Sequence, residues 1–243
     1  MPLPPPFEAR VVGGRALSPG VREVTFERTD GQPMVFEPGQ WLNLILPATA
    51  DTLKRSYSIA SPPAGTPRFE VAVTRVQGGP GSTFLHDVQP GATLQCIGPQ
   101  GFFTRAANST APSLFIATGT GVTPMRSMMQ AALAAGGKAP MWLLFGVRHD
   151  ADVLYEGEMQ AMVKEHPHVR FEPTLSQPGP SWTGRRGYVQ THVKELWAEL
   201  SALGAGEPHA YICGLERMVG SVREILRTEL GLPRQQVHSE RYD

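Results

Sequence analysis

Cysteine is nearly missing from this chain. Two of its 243 residues, Cys96 and Cys213, are cysteines, and they do not form a C-x-x-C pair. A disulfide framework and an all-cysteine iron–sulfur cluster, which needs four thiolates, are therefore both excluded. Any electron carried by a metal must come from a separate protein. Net charge is also absent: 22 basic and 22 acidic side chains cancel, leaving no overall field to recruit nucleic acid or an anionic membrane. Long apolar runs are missing too, since no stretch approaches the ~20 residues of a membrane span. The opening Met1-Pro2-Leu3-Pro4-Pro5-Pro6 has neither the charged start nor the apolar run of a secretory signal. The expectation is a cytoplasmic monomer without nucleic-acid or membrane partners. His86 and His149 have no carboxylate or cysteine partner at ligand spacing, so no metal site is expected.

What the chain does have is a core's worth of apolar residues, 41% of its length, enough for two ordinary domains. Up to about Thr110 the sequence is rich in glycine, proline and short alternating runs, the pattern of a small antiparallel barrel. Val24 and Phe26 share one face; Leu42, Leu44 and Leu46 alternate, as do Phe69, Val71 and Val73, with Arg75 next on that face. Within this region Arg55-Ser56-Tyr57-Ser58 reads as a strand. It offers a cation for phosphate, a flat ring and two hydroxyls along one backbone edge, which suits a ligand both planar and phosphorylated. Gln77-Gly78-Gly79-Pro80-Gly81-Ser82 then makes a glycine-rich turn into a short helix, with Ser82 as its expected N-cap and a second phosphate cradle. Gly98-Pro99-Gln100-Gly101 is read as a closing turn.

From Pro112 the texture changes to parallel βαβ units. The apolar run Leu114-Phe115-Ile116-Ala117 leads through Thr118-Gly119-Thr120-Gly121-Val122-Thr123-Pro124 into a helix over 125–135. Thr123 is expected to cap it, with Pro124 in first position. Strands over 141–147, 169–175 and 209–213 alternate with helices over 155–165, 189–200 and 216–230, with 177–187 irregular. This is a doubly wound sheet, and such sheets bind ligands at the carboxyl ends of their strands. Gly119, Gly121, Cys213 and Gly214 fall at such ends, and the amides of 119–123 can face nucleotide phosphates. The boundary is placed between 109 and 110, giving a barrel over 1–109 and an α/β domain over 110–243.

Four motifs in this order, Arg55-Ser56-Tyr57-Ser58, Gly79-Pro80-Gly81-Ser82, Gly119-Thr120-Gly121-Val122-Thr123-Pro124 and Cys213-Gly214-Leu215-Glu216-Arg217-Met218, resemble the ferredoxin–NADP reductase family across essentially the whole chain. The resemblance implies an FAD-binding barrel and a nicotinamide-nucleotide domain, with hydride passing between two rings where they meet. It implies that Arg55 holds the flavin pyrophosphate, Tyr57 stacks on the isoalloxazine and Ser58 bonds near N5. Ser56, Val73, Arg75, Gly81 and Ser82 line the same cofactor, and Thr123 reaches it from the other domain. Gly119, Thr120, Gly121, Thr123, Cys213, Gly214 and Met218 would meet the nicotinamide nucleotide, with Cys213 packed near nicotinamide C4. Glu240 and Tyr242 match the Glu-x-Tyr that closes plant-type members, where the ring covers the flavin. Asp243 follows it here.

For the nucleotide, Ser176, Arg186 and Tyr188 match the plant-type serine, basic residue and adenine-stacking tyrosine, while Gln177 stands where that pattern has arginine. NADP(H) is expected, with NAD(H) as the alternative. The partner implied is a separate ferredoxin or flavodoxin. A reductase component of an oxygenase or cytochrome system, and a non-catalytic nucleotide sensor on the same fold, remain open.

Overall fold

The computed structural model describes residues 4–47 and 53–242. The expectations placed on Met1-Pro2-Leu3 and on Asp243 lie outside the described residues. Strands β1 (Pro6–Ser18), β2 (Val21–Arg28), β3 (Trp41–Leu46), β4 (Leu53–Ser58), β5 (Arg68–Thr74) and β6 (Thr93–Gln100) form one antiparallel sheet in the order β4-β3-β6-β1-β2-β5. Alternation turns Val24, Phe26, Leu42, Leu44, Leu46, Phe69, Val71 and Val73 into its core. The sheet curls until its edges meet, and the Ala60 N–H just past β4 donates to the Glu70 carbonyl of β5 at 2.8 Å.

The second sheet is parallel. Its strands are β7 (Ser113–Thr118), β8 (Met141–Val147), β9 (Val169–Leu175), β10 (Arg185–Arg186), β11 (His209–Gly214) and β12 (Val237–Arg241), in the order β10-β9-β8-β7-β11-β12. Alternate residues of β7 bury on opposite faces, as a central parallel strand requires. Phe115 and Ala117 pack with helices α2 (Val122–Ala134) and α3 (Glu156–Glu165). Leu114 and Ile116 pack with α4 (Val193–Ala202) and α5 (Glu216–Glu224). In the barrel domain, the short helix α1 (Pro80–Asp87) lies between β5 and β6. Between the sheets runs a linker gathered around buried Arg105, which donates to Ser113 Oγ at 2.9 Å and to the Ser109 and Ala111 carbonyls at 3.2 Å. Among the described residues no helix is long and apolar enough to cross a membrane.

Local chemistry overrode several sequence expectations. The α1 cap is Gly79, not Ser82, because Pro80 occupies the first helical position, where no N–H is needed. Ser82 Oγ instead accepts from the Val76 N–H at 3.0 Å and donates to the Gly79 carbonyl at 3.1 Å. Thr123 does not cap α2 either. A 3-10 turn over Gly119–Gly121 runs directly into the helix, so α2 starts at Val122 and Thr123 Oγ1 donates back to the Thr120 carbonyl at 2.8 Å. Pro124 falls inside the first turn, still among the positions without an intrahelical N–H partner.

Gly98, Pro99 and Gln100 continue β6 instead of turning. A Cβ on Gly98 would lie 2.6 Å from Leu42 Cβ, so the glycine lets β6 lie flat on β3. The helix expected over 216–230 stays α-helical to Glu224 and widens into a π turn over Ile225–Glu229, where the Leu230 N–H reaches the Ile225 carbonyl. Gly231, at φ +70°, ends it. Arg75 lies just beyond β5, exposed and paired with Asp87 at 2.9 Å. β10 interrupts the stretch expected to be irregular, and β12 was not expected at all.

Phe26 and Phe69 stack 5.3 Å apart at the barrel centre with no exposed surface. Phe69→Ala is expected to cost about 3–5 kcal/mol of barrel stability, read from denaturant unfolding by circular dichroism. A loss below about 1 kcal/mol would show that this pair is not the centre of the barrel core.

Candidate functional site

The sheets meet where β4 ends and where the carboxyl ends of β7, β11 and β12 open. In a doubly wound sheet this is the reversal of strand order, with β8 and β9 on one side of β7 and β11 on the other. Gly121 packs so tightly there that a Cβ would lie 2.2 Å from the Cys213 carbonyl oxygen. Only glycine lets the loop close onto β11. β12 pairs with β11 so that Cys213 faces Glu240 and Gly214 faces Arg241. The next residue is anchored as well, because the Tyr242 N–H donates to the Gly214 carbonyl at 2.9 Å.

From this anchor the Tyr242 ring reaches across the seam. Its hydroxyl donates to Ser58 Oγ at 2.5 Å, and Ser58 donates onward to Glu240 Oε1 at 3.3 Å. Thr123 Oγ1 stands 3.4 Å from the Tyr242 hydroxyl. Ser58, Thr123, Cys213, Glu240 and Tyr242, five residues from opposite parts of the chain, thus converge.

Burial sets their proton affinities. It pushes the Glu240 carboxyl up to about 7, against the pull of the Ser58 hydrogen bond. Burial, reinforced by the nearby Glu240 charge, raises the Cys213 thiol, and burial raises the Tyr242 phenol in the same way. A thiol so raised stays protonated and is no nucleophile.

A second grouping lies on the barrel. Arg55 is exposed; it donates to the Lys54 carbonyl at 2.9 Å and has no ion pair among the described residues. Gly81 packs against it, with a Cβ there falling 3.4 Å from Arg55 Cγ, so the α1 turn and β4 are in contact. Tyr57 is half-buried beside it, its phenol pushed up to about 12 by burial. Ser56 turns to Asn43 Oδ1 at 3.0 Å. Val73 does not join this edge through its side chain, which is in the barrel core; its carbonyl meets His86 Nε2 at 2.9 Å.

On the α/β domain, Thr120 Oγ1 approaches Thr74 Oγ1 at 3.5 Å, and Thr118 Oγ1 is buried without a hydrogen-bond partner among the described residues. Met218 packs beside Gly214, where a Cβ would lie 2.7 Å from Met218 Cε. Ser176, Arg186 and Tyr188 gather at the far edge. Ser176 N–H donates to the Val147 carbonyl at 3.0 Å, Arg186 donates to the Trp182 carbonyl at 2.7 Å, and Tyr188 is 66% exposed. Sequence reasoning missed Arg148 in this group. It follows β8, and its carbonyl accepts from the Gln177 N–H at 2.9 Å. Like Arg186 it is exposed and has no ion pair among the described residues.

Comparison with known proteins fits this arrangement. Residues 8–104 match the family described as Oxidoreductase FAD-binding domain, and residues 115–224 match Oxidoreductase NAD-binding domain. The chain is 59% identical over 239 residues to Ferredoxin--NADP reductase B of Sorangium cellulosum (strain So ce56), covering 98% of both chains. It belongs to the ferredoxin–NADP reductase family. It is also 28% identical to the Phenol hydroxylase P5 protein of Acinetobacter pittii (strain PHEA-2), covering 97% of this chain but 65% of that longer one. The fold matches the crystal structure of a ferredoxin NADP+ reductase from Neisseria gonorrhoeae with bound FAD and NADP, at a TM-score of 0.80 and 20% identity, covering 97% of this chain and 98% of that one.

Because Glu240 binds its proton more tightly folded than in its ordinary range, its contribution to stability is present at low pH and is lost as pH rises through about 7. Ser58 donates to the charged carboxylate, so Ser58→Ala is expected to move this midpoint higher still. Carbon-13 NMR of the labelled glutamate carboxyls checks this. A midpoint unchanged or lowered would break the link between the two residues.

Proposed function

We propose that this reductase moves hydride between NADP(H) and FAD and passes single electrons to a separate carrier of the ferredoxin or flavodoxin kind. The observation that carries the reading is the convergence of Ser58 from the barrel with Cys213, Glu240 and Tyr242 from the α/β domain. A flavin held there would supply the chemistry for exchanging a two-electron hydride with single electrons.

The residues fit both groups. Arg55 is a guanidinium without a carboxylate partner among the described residues, next to the close-packed Gly81, which suits a diphosphate. Of the other expected contacts, Ser82 lies in the α1 turn beside Gly81 and Arg75 is exposed but paired with Asp87, whereas Ser56 turns to Asn43 and the Val73 side chain is in the core. Tyr57 gives one wall for a flat ring and Tyr242 the opposite one. Ser58 presents a hydroxyl at the seam, and the buried Glu240 behind it can hold or release a proton near pH 7. Thr118 Oγ1, buried and unpartnered, and the Gly119–Gly121 turn suit a nucleotide crossing the sheet end. Thr120, Thr123, Gly214 and Met218 border it, and Cys213 packs as a neutral wall.

At the far edge a ribose 2'-phosphate, with roughly two charges, would find Arg186 and Arg148 free to pair, Ser176 as a donor and Tyr188 for the adenine face. Arg148 supplies the cation that Gln177 does not. The two cysteines, both buried, are too few for an all-cysteine cluster, which supports a carrier outside this chain. The Acinetobacter relative, of which this chain spans 65%, makes an oxygenase reductase component the second reading. We place the domain boundary between 109 and 110, in the linker held by Arg105.

Anaerobic titration of the purified yellow protein is the test. NADPH should bleach the flavin in preference to NADH. Arg186→Ala should raise the KM for NADPH by about 10- to 100-fold, the worth of one charge-assisted contact, while leaving that for NADH nearly unchanged. No bleaching by either nucleotide would overturn the enzymatic reading, and equal effects on both would remove Arg186 from the 2'-phosphate.

A further inference from the structure

Arg126 is a charged side chain on the buried face of α2, between Met125 and Met128, and only 6% of its surface is exposed. A buried guanidinium is costly unless its donors are all engaged. Here one of its nitrogens reaches across the seam. Nη1 donates to the Ala60 carbonyl at 2.9 Å and to Glu70 at 2.7 Å, both in the barrel, while Nε donates to Glu158 of α3 at 2.6 Å. Glu23 of β2 lies 3.9 Å away, and the guanidinium sits 4.5 Å over the Tyr155 ring. Arg15 of β1 completes the group, bonded to both Glu23 at 2.7 Å and Glu158 at 2.5 Å.

The next residue on α2 makes a second crossing, with Ser127 Oγ donating to the Ser61 carbonyl at 2.8 Å. Two consecutive helix residues therefore grip two consecutive carbonyls of the barrel. Those carbonyls lie two and three residues beyond Ser58, and Arg126 lies one helical turn beyond Thr123. The grip is thus made on the segments that carry the barrel side and the nucleotide side of the site.

We infer that Arg126, seconded by Ser127, is a positioning residue that sets the separation between the flavin-side and nicotinamide-side walls and so controls hydride transfer without touching either ring. This rests on the hydride-transfer reading above. A charged network is suited to the task because its geometry is directional, whereas apolar contacts across the seam would tolerate sliding. A misplacement on the order of 1 Å is enough to cost about 100-fold in such a step.

The test uses the FAD-loaded protein as Arg126→Lys, Arg126→Gln and Ser127→Ala. Ser127→Ala keeps the ion network intact in case Arg126→Gln does not fold. Single-turnover bleaching by saturating NADPH should slow about 10- to 100-fold in Arg126→Gln, with Arg126→Lys and Ser127→Ala in between. The dissociation constant for NADP+ and the flavin content should stay within about threefold. The deuterium isotope effect on bleaching should rise, since transfer itself becomes more limiting. Independently of activity, amide hydrogen exchange should accelerate at Ala60 and in the first turn of α2 in all folded variants. Parental bleaching rates and isotope effects at saturation, or losses that only follow weakened nucleotide or flavin binding, would overturn the inference. If the parent itself is not bleached, the functional reading has failed, and the exchange pattern alone then decides whether Arg126 fixes the seam.

Discussion

The register of β12 on β11 is the constraint on which the site depends. Parallel pairing puts Glu240 beside Cys213 and lets the Tyr242 N–H close on the Gly214 carbonyl. A slip of one residue would turn Glu240 to the opposite face and carry Tyr242 away from Ser58. That pairing underlies the Tyr242 to Ser58 to Glu240 hydrogen-bond chain and sets the Glu240 charge beside the buried Cys213 thiol. An edge strand usually has one face and one edge to spare. Here β12 and the residue after it present Glu240 and Tyr242 to Ser58 of the barrel.

The two sheets contribute different properties. The barrel is held by alternating apolar residues and offers its outer edge, where Gly81 of the α1 turn packs against Arg55. The parallel sheet is buried on both faces and offers only its strand ends, which concentrates backbone amides and small residues at the point where strand order reverses. Neither surface makes a complete site alone. The charged contacts of Arg126 and the hydroxyl contact of Ser127 join them, a different kind of interaction from either core.

Much of this was legible in the sequence. Strand alternation at Leu42, Leu44 and Leu46 and the continuous run Leu114 to Ala117 gave the two sheet types, because period-two and fully apolar patterns report one-sided and two-sided burial. Helix starts were less legible. Ser82 and Thr123 look like caps, yet in both places proline or glycine begins the helix earlier and the hydroxyl turns back to a carbonyl. β12 was hidden because Val237-His238-Ser239-Glu240-Arg241 has no apolar alternation; an edge strand receives its order from its neighbour's backbone. Arg126 could have been noticed as the charge that breaks an otherwise apolar helix, but its partners Glu23, Glu70 and Glu158 are scattered over the chain and only the fold assembles them.

The central claim is that the Ser58 and Cys213 walls enclose one ring pair, with the Tyr242 side chain between them until the nucleotide arrives. Titrating FAD-loaded Tyr242→Ser with NADP+ and recording the long-wavelength absorbance tests it most directly. Removing the ring leaves its place to the nicotinamide, so the account predicts tighter binding than in the parent and a stronger charge-transfer band between the stacked rings. Binding no tighter than the parent's, with the flavin spectrum unchanged, would contradict it.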